Sequence, residues 1–362
     1  MNPTNRGQVE VQFNWIFILI VGAILLAFFT TIALTQKKAA DVQSNVDFFL
    51  NFEKAITGIS AAEGKQFLLE IPRLDLRYDC TQDCNCGAYV GESRARAITN
   101  VFELNSRLIF SPNRLKGDKL LAWSVQWNNP YTITNLLLIT SPQVKYLIED
   151  SGKGRELYSQ LPPLTILLNG VDEPAIDKQL FNPNDIQNIT NIEGNYKVKF
   201  IFTDSTPSQI PTILQTLPNS DVTAIKLTET AVIFYEKQDG GTFAEKDTSY
   251  VLGDATQPAA IFAEDSIAYG CMMNNAMNTY RQVTNVFSQK QFSYFAESNS
   301  ENSHLNSCVI DYDPIYLTEL SNSLSSFDFL QQNQNVAAIS QNVQSIKIQN
   351  ENAIRDSCPH LY

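Results

Sequence analysis

Six cysteines are the residues of this chain best equipped for chemistry, and they are unevenly placed. Cys80, Cys84 and Cys86 fall together, whereas Cys271, Cys308 and Cys358 are spread through the last quarter. The C-x3-C-x-C cluster, with Asp79 and Asp83 beside it, can be read as a metal hook or as a set of disulfide partners. Zinc sites are built mostly from paired Cys-x-x-Cys or Cys/His hooks, and the nearest histidine in sequence is His304. Disulfides are therefore expected and a metal is not. An even count allows three bridges and 15 connectivities. Cys84 with Cys86 is the least favourable pair, because side chains two apart on an extended strand bridge only with strain. The expected pattern staples the early cluster to the C-terminal part.

The remaining chemistry concerns Ser141, Asn169, Asp204, Ser205, Glu264 and Asp265, each following an expected strand. In open parallel sheets, ligands bind beyond the carboxyl ends of the strands. Asp204 with Glu264 or Asp265 would serve as acid and base, or hold Mg2+ or Ca2+, if they converged. Helix capping explains Ser141, Ser205 and Asp265 without any ligand. The two histidines, His304 and His360, leave little material for a Ser-His-Asp or Cys-His arrangement. No G-x-S-x-G, H-E-x-x-H or phosphate-loop pattern occurs, and Ser151-Gly-Lys-Gly-Arg155 reads as a surface turn. No cofactor and no catalytic activity are expected. Asn188-Ile-Thr190 is an acceptor pattern for a glycan. A net charge of -12 gives no basic footprint for DNA or RNA.

These residues have to be positioned by an α/β domain. A strand, turn, helix phrase recurs three times. Residues 135–140 form a strand, after which Ser141 caps a helix and Pro142 takes its first position. Residues 198–202 lead to a cap at Asp204, Ser205 or Thr206, then Pro207 and a helix face of Ile210, Ile213 and Leu214. Residues 259–263 precede Glu264, Asp265 and a helix from near Ser266. Residues 164–168 read as another buried strand ending at Asn169-Gly170, residues 222–227 continue the sheet, and 231–235 meet the hairpin signal Asp239-Gly-Gly241. Alternating buried strands and helices imply a mainly parallel sheet covered on both faces. Earlier, residues 67–71 form a strand that Pro72 breaks, and Leu121, Trp123, Val125 and Trp127 alternate along a half-buried strand. Later, Met273, Met277 and Tyr280 mark a core helix; Leu317, Leu320, Leu324 and Phe327 mark another; Val336, Ile339, Val343 and Ile346 mark the last.

The architecture hangs from residues 15–34, about twenty positions without a charge and long enough to cross a hydrocarbon core. The expected organisation is a signal-like segment (1–14), a transmembrane helix (15–34), a helical stalk (35–60), an external α/β domain (61–270) and a C-terminal helical region (271–362). The last helix packs either on the stalk or on the α/β core. Before the span, Arg6-Gly7-Gln8-Val9-Glu10-Val11-Gln12-Phe13 resembles the class III signal peptide of archaeal type IV pilin-like proteins. That resemblance implies cleavage between Gly7 and Gln8 by a prepilin peptidase. Phe110-Ser-Pro-Asn-Arg-Leu-Lys-Gly-Asp118 is similar to surface proteins of small-genome archaea to which no activity is attached. Lysines and arginines nearly cancel across the span, so the cysteines, the glycan acceptor and the signal-like start decide the orientation, with the large domain outside. The expected protein is thus a single-pass, cell-surface component of an envelope, adhesion or pilus-like structure. Its partners are the bilayer through residues 15–34 and another protein at the surface, a second copy included. The rival is an anchored ligand binder or carboxylate-dependent hydrolase.

Overall fold

The computed structural model describes residues 7–90, 102–103, 107–168, 170–300, 305–331 and 334–362. The chain divides into two compact units, residues 1–52 and 53–362. The first consists of helix α1 (Gly7–Ser60) up to Phe52. Within it Trp15–Gln36 has a mean hydropathy of 2.8 with none of its length buried, which makes it long and apolar enough to cross a membrane. Such a helix also passes for the apolar part of an N-terminal signal.

The second unit is a mixed α/β domain with two six-stranded sheets. One has the order β3-β2-β1-β5-β6-β4, from β1 (Gln66–Cys80), β2 (Cys86–Val90), β3 (Phe102–Glu103), β4 (Ile109–Phe110), β5 (Arg114–Asn128) and β6 (Thr132–Thr140). It is antiparallel except where β4 meets β6. Pro72 does not end β1. The register with β5 shifts between Glu70 and Leu74, and a bulge is where a strand tolerates a residue without an N–H. The other sheet has the order β10-β7-β11-β12-β13-β14. Its strands are β7 (Val144–Glu149), β10 (Asp177–Phe181), β11 (Lys197–Phe202), β12 (Val222–Leu227), β13 (Ala231–Lys237) and β14 (Phe243–Tyr250). The first four are parallel, and the last two complete an antiparallel meander through the Asp239-Gly-Gly turn. The fold is therefore mixed, and the expectation of a mainly parallel sheet is corrected.

Three local corrections explain this outcome. Ser141 caps no helix: Ser141-Pro142-Gln143 is a tight turn passing from β6 in one sheet to β7 in the other, with Ser141 Oγ donating to the Lys116 carbonyl and accepting from Gln143 N–H. Asp204 and Ser205 cap no helix either. Pro207, Pro211 and Pro218 punctuate that segment, and only two 3-10 turns form, Thr212–Leu214 and Asn219–Asp221. Residues 259–263 are not a strand but the end of helix α3 (Thr256–Phe262), which is buried on all sides and so shows no amphipathic period. Residues 164–168 do form a strand, β8 (Thr165–Leu168), but pair only with β9 (Val171–Pro174) in an exposed hairpin. Leu167 there is 68% exposed.

Helices α3 and α4 (Ser266–Ser298) lie between the sheets. Phe262 stacks on Tyr146 of one sheet and meets Trp123 of the other, while Tyr269 touches Phe110 and Phe234 in the same way. Met272, Met273 and Met277 are wholly buried, as core residues are. On the far face of the second sheet Phe181, Phe200, Phe202, Ile210, Leu214 and Phe243 form a second core. Helix α5 (Ile315–Ser325) packs against α4 and against α6 (Val336–Arg355). The expected apolar stripes of these two helices, including Leu317, Leu320, Leu324, Ile339 and Ile346, are buried.

Candidate functional site

The parallel strands offer two rims. At the carboxyl rim, the chain leaves β7 toward β10 on one side, whereas it leaves β11 toward β12 on the other. This is the divergence at which open sheets bind ligands. Helix α2 (Gly152–Gln160) begins there, with Ser151 as its cap: Ser151 Oγ accepts from Gly154 N–H and shares a hydrogen bond with Thr203 Oγ1. A Cβ on Gly154 would stand 1.9 Å from the Glu149 carbonyl oxygen, so only glycine fits. The crevice is already filled by the protein itself. Buried Glu149 accepts from the backbone N–H groups of Thr203 (2.6 Å), Asp204 (2.8 Å) and Ser205 (3.1 Å), and the Ser205 hydroxyl donates to it as well. Burial alone would raise its carboxyl. The Ser205 hydroxyl and these N–H groups outweigh that and hold it below the usual carboxylate range. Asp204 and Ser205 thus contribute their backbones to an internal anion site, and the Asp204 side chain stays exposed.

The amino rim gathers different groups. Lys197 opens β11, and its ammonium, 1% exposed, donates to Glu264 Oε1 (2.8 Å), Asn113 Oδ1 (3.0 Å) and the Ser220 carbonyl (2.7 Å). Glu264 Oε2 accepts from Asn113 N–H at 3.0 Å. Burial pushes the Glu264 carboxyl up, but Lys197 and Lys199 outweigh it and hold the group ionised. Lys199, wholly buried, donates to the carbonyls of Ala260 and Ala263 at the end of α3, and burial lowers its ammonium to about 7. Lys178 and Lys237 end in the same manner on backbone carbonyls, Tyr158 and Leu161 for one, Leu214, Gln215 and Leu217 for the other. Ammonium groups seated on the orphan carbonyls of helix and turn ends satisfy both partners.

Beside Glu264 opens a cleft of about 390 Å³, lined in part by Asn113, Ser220, Thr223, Tyr235, Lys246 and Asp265. Asp265 caps α4 as expected, accepting from Ala268 N–H, and faces Lys246 at 3.5 Å. Thr223 Oγ1 is buried there without a hydrogen-bond partner among the described residues.

Among the described residues, the expected positions do not come together. Asp204 and Ser205 follow the end of β11, whereas Glu264 bonds to its first residue, so a strand of six residues, about 20 Å, separates them. Ser141, in the turn just before β7, borders another opening, with Gly117 and Glu173. Asn169 lies outside the described residues, as does His304. Sequence reasoning missed Glu149, Lys197, Lys199 and Asn113. Two lysines flanking Val198 at the start of an apolar strand were the available signal, since buried lysines need partners.

The cysteines pair as Cys80–Cys86, Cys84–Cys271 and Cys308–Cys358. Only Cys84–Cys271 staples the early cluster to the C-terminal part. Cys80 and Cys86 face each other in register across β1 and β2, and Cys308–Cys358 closes a C-terminal cluster with Tyr312 and Leu361. Among the described residues no group of acidic, histidine and cysteine side chains is arranged to hold a metal ion. Asn188 is exposed on the 3-10 turn Pro183–Asn188. Compared with known proteins, the chain matches no family, no curated protein and no solved structure.

Proposed function

We propose that this chain is a membrane-anchored surface protein, held by residues 15–34 with its large domain outside the cell, which works by binding or structural contact in an envelope, adhesion or pilus-like assembly. The observation that carries this reading is the combination of a bare apolar helix with a domain whose six cysteines all pair. Disulfides persist in oxidising surroundings, outside the cytosol. The apolar stretch of 22 residues exceeds the 7–15 of a cleaved secretory signal, which favours a span. The likeness of Arg6 to Phe13 to class III signals supports processing after Gly7. The exposed Asn188 suits a glycan.

Intact cells treated with a membrane-impermeant thiol reagent, with and without prior reduction, test the location. Labelling of the cysteines only after reduction, together with loss of residues 1–7 in the intact mass, is the expected result. Thiols that react in permeabilised cells without reduction would place the domain in the cytosol and overturn the proposal. A second reading, an anchored binder of a small polar ligand, rests on the cleft beside Glu264 and Asp265.

A further inference from the structure

We propose that Lys197 and Asn113 join through a side-chain amide bond, with Glu264 as the proton carrier, so that the two sheets of the domain are covalently linked. Asn113 immediately precedes β5 of one sheet, and Lys197 opens β11 of the other, 84 positions later. Their reactive groups are already in contact. Lys197 Nζ stands 3.0 Å from Asn113 Oδ1, so the amide carbon, one C=O bond further on, lies within about 3.2–4.2 Å of it, and a small shift of the amide brings it to the ~3–3.5 Å from which attack proceeds. Holding two groups in one buried geometry removes most of the entropic cost that makes such a reaction slow between free side chains.

A lysine becomes a nucleophile when it is stripped of water or set beside another cation. Lys197 is 1% exposed, and the Glu264 it contacts also lies in the field of buried Lys199. Glu264 is placed to move the protons, since one oxygen accepts from Lys197 Nζ and the other from Asn113 N–H. The resting pair is ionised, and a proton passed along the 2.8 Å hydrogen bond yields a neutral amine and a neutral acid. The amine attacks Cγ of Asn113, an Nζ–Cγ bond forms, and the Cγ–Nδ2 bond breaks. Both protons surrendered by the Lys197 ammonium end on Nδ2, which departs as ammonium, and Glu264 is left ionised as it began. No oxidant, reductant or co-reactant is consumed. The Asn113 side chain borders the cleft, which gives the departing ammonium a way to solvent. This inference is independent of where the domain resides.

Mass spectrometry on the full chain, purified from membranes and fully reduced, tests it. The expected result is an intact mass short by one ammonia and, after proteolysis, a branched peptide containing both Asn113 and Lys197. Asn113→Ala keeps the Lys197–Glu264 pair and should fold, yet give no branched peptide. Glu264→Gln should also abolish the branch, because the amide cannot take the proton from Lys197. Folded wild-type protein of full mass, with Asn113 and Lys197 on separate peptides, would overturn the inference. A loss of ammonia mapped to another residue would also overturn it, and a branch that survives Glu264→Gln would remove Glu264 from the mechanism. Should Glu264→Gln fail to fold, Asn113→Ala and the wild type decide the matter alone.

Discussion

The two rims around strand β11 each bury a carboxylate, in opposite ways. Past its carboxyl end, Glu149 is held by neutral donors, three backbone N–H groups and a hydroxyl. At its amino end, Glu264 is held by ammonium groups, with an asparagine amide in the same contact. Backbone dipoles fixed by a turn can stabilise a charge but cannot react with it, so the first arrangement is inert. An ammonium beside a carboxylate can surrender a proton and become a nucleophile, so the second holds chemistry. The location that topology marks as a binding site is thus plugged by the protein's own acid, and the reactive groups collect at the opposite rim.

The largest effect expected from testing this contrast is at Lys197. In the Asn113→Ala background, where no amide bond can form and the ion pair is kept, Lys197→Met leaves Glu264 buried with Lys199 as its remaining cation, and a broken buried pair costs about 3–5 kcal/mol, read as a lower urea midpoint. A loss under about 1 kcal/mol would mean that Glu264 takes up its proton easily, and the two rims would then be alike. Glu149→Gln comes next. Its amide keeps one acceptor oxygen but turns an NH2 toward N–H donors, which should cost about 1–3 kcal/mol. The same variant carries a pH signature. Because the Glu149 pKa is depressed in the fold, its stabilisation is present above the unfolded value near 4.5 and is lost as pH falls through the folded one. Denaturant titrations of wild type and variant should therefore converge on acidification.

Lys199 gives a slope of the same sign, displaced to higher pH. Its folded value of about 7 lies below the unfolded 10.5, so the unfolded chain binds more protons between them, and stability contributed by this group rises with pH across that window. Wild type compared with Lys199→Met should gain on the order of 1 kcal/mol per pH unit there, and a flat difference would show an ammonium that stays charged. Least of all, Asp204→Ala should shift stability by no more than about 0.5 kcal/mol, since only its backbone serves Glu149.

How far the sequence revealed this arrangement depended on whether a signal was local. The charge-free run at residues 15–34, the Asp265 cap and the Asp239-Gly-Gly hairpin each rest on neighbouring residues: the first is a continuous apolar helix long enough to cross a membrane, and the other two took their expected form. Strand β7 went unrecognised because Val144, Leu147 and Ile148 repeat with the three and four spacing of a helix, and Ser-Pro ahead of them suits a helix start or a turn equally. Helix α3 misled in the reverse direction, since five apolar residues in a row carry no period when every face is covered. The rims themselves depended on distance. Lys197 meets Asn113 across 84 positions and Glu264 across 67, and nothing in the spacing of a chain marks partners so far apart.

One bridge sets a problem of timing. Cys84 finds its partner 187 positions later, at Cys271. A ribosome delivers chain at about 5–20 residues per second, so Cys84 emerges roughly ten to forty seconds before Cys271 exists, while both Cys80 and Cys86 are already within reach. Disulfides form in seconds or longer, which leaves the waiting thiol open to either neighbour. The pairing of Cys80 with Cys86 across β1 and β2 protects it: once that hairpin closes, the two nearest partners are spent, and Cys84 is kept single until α4 arrives.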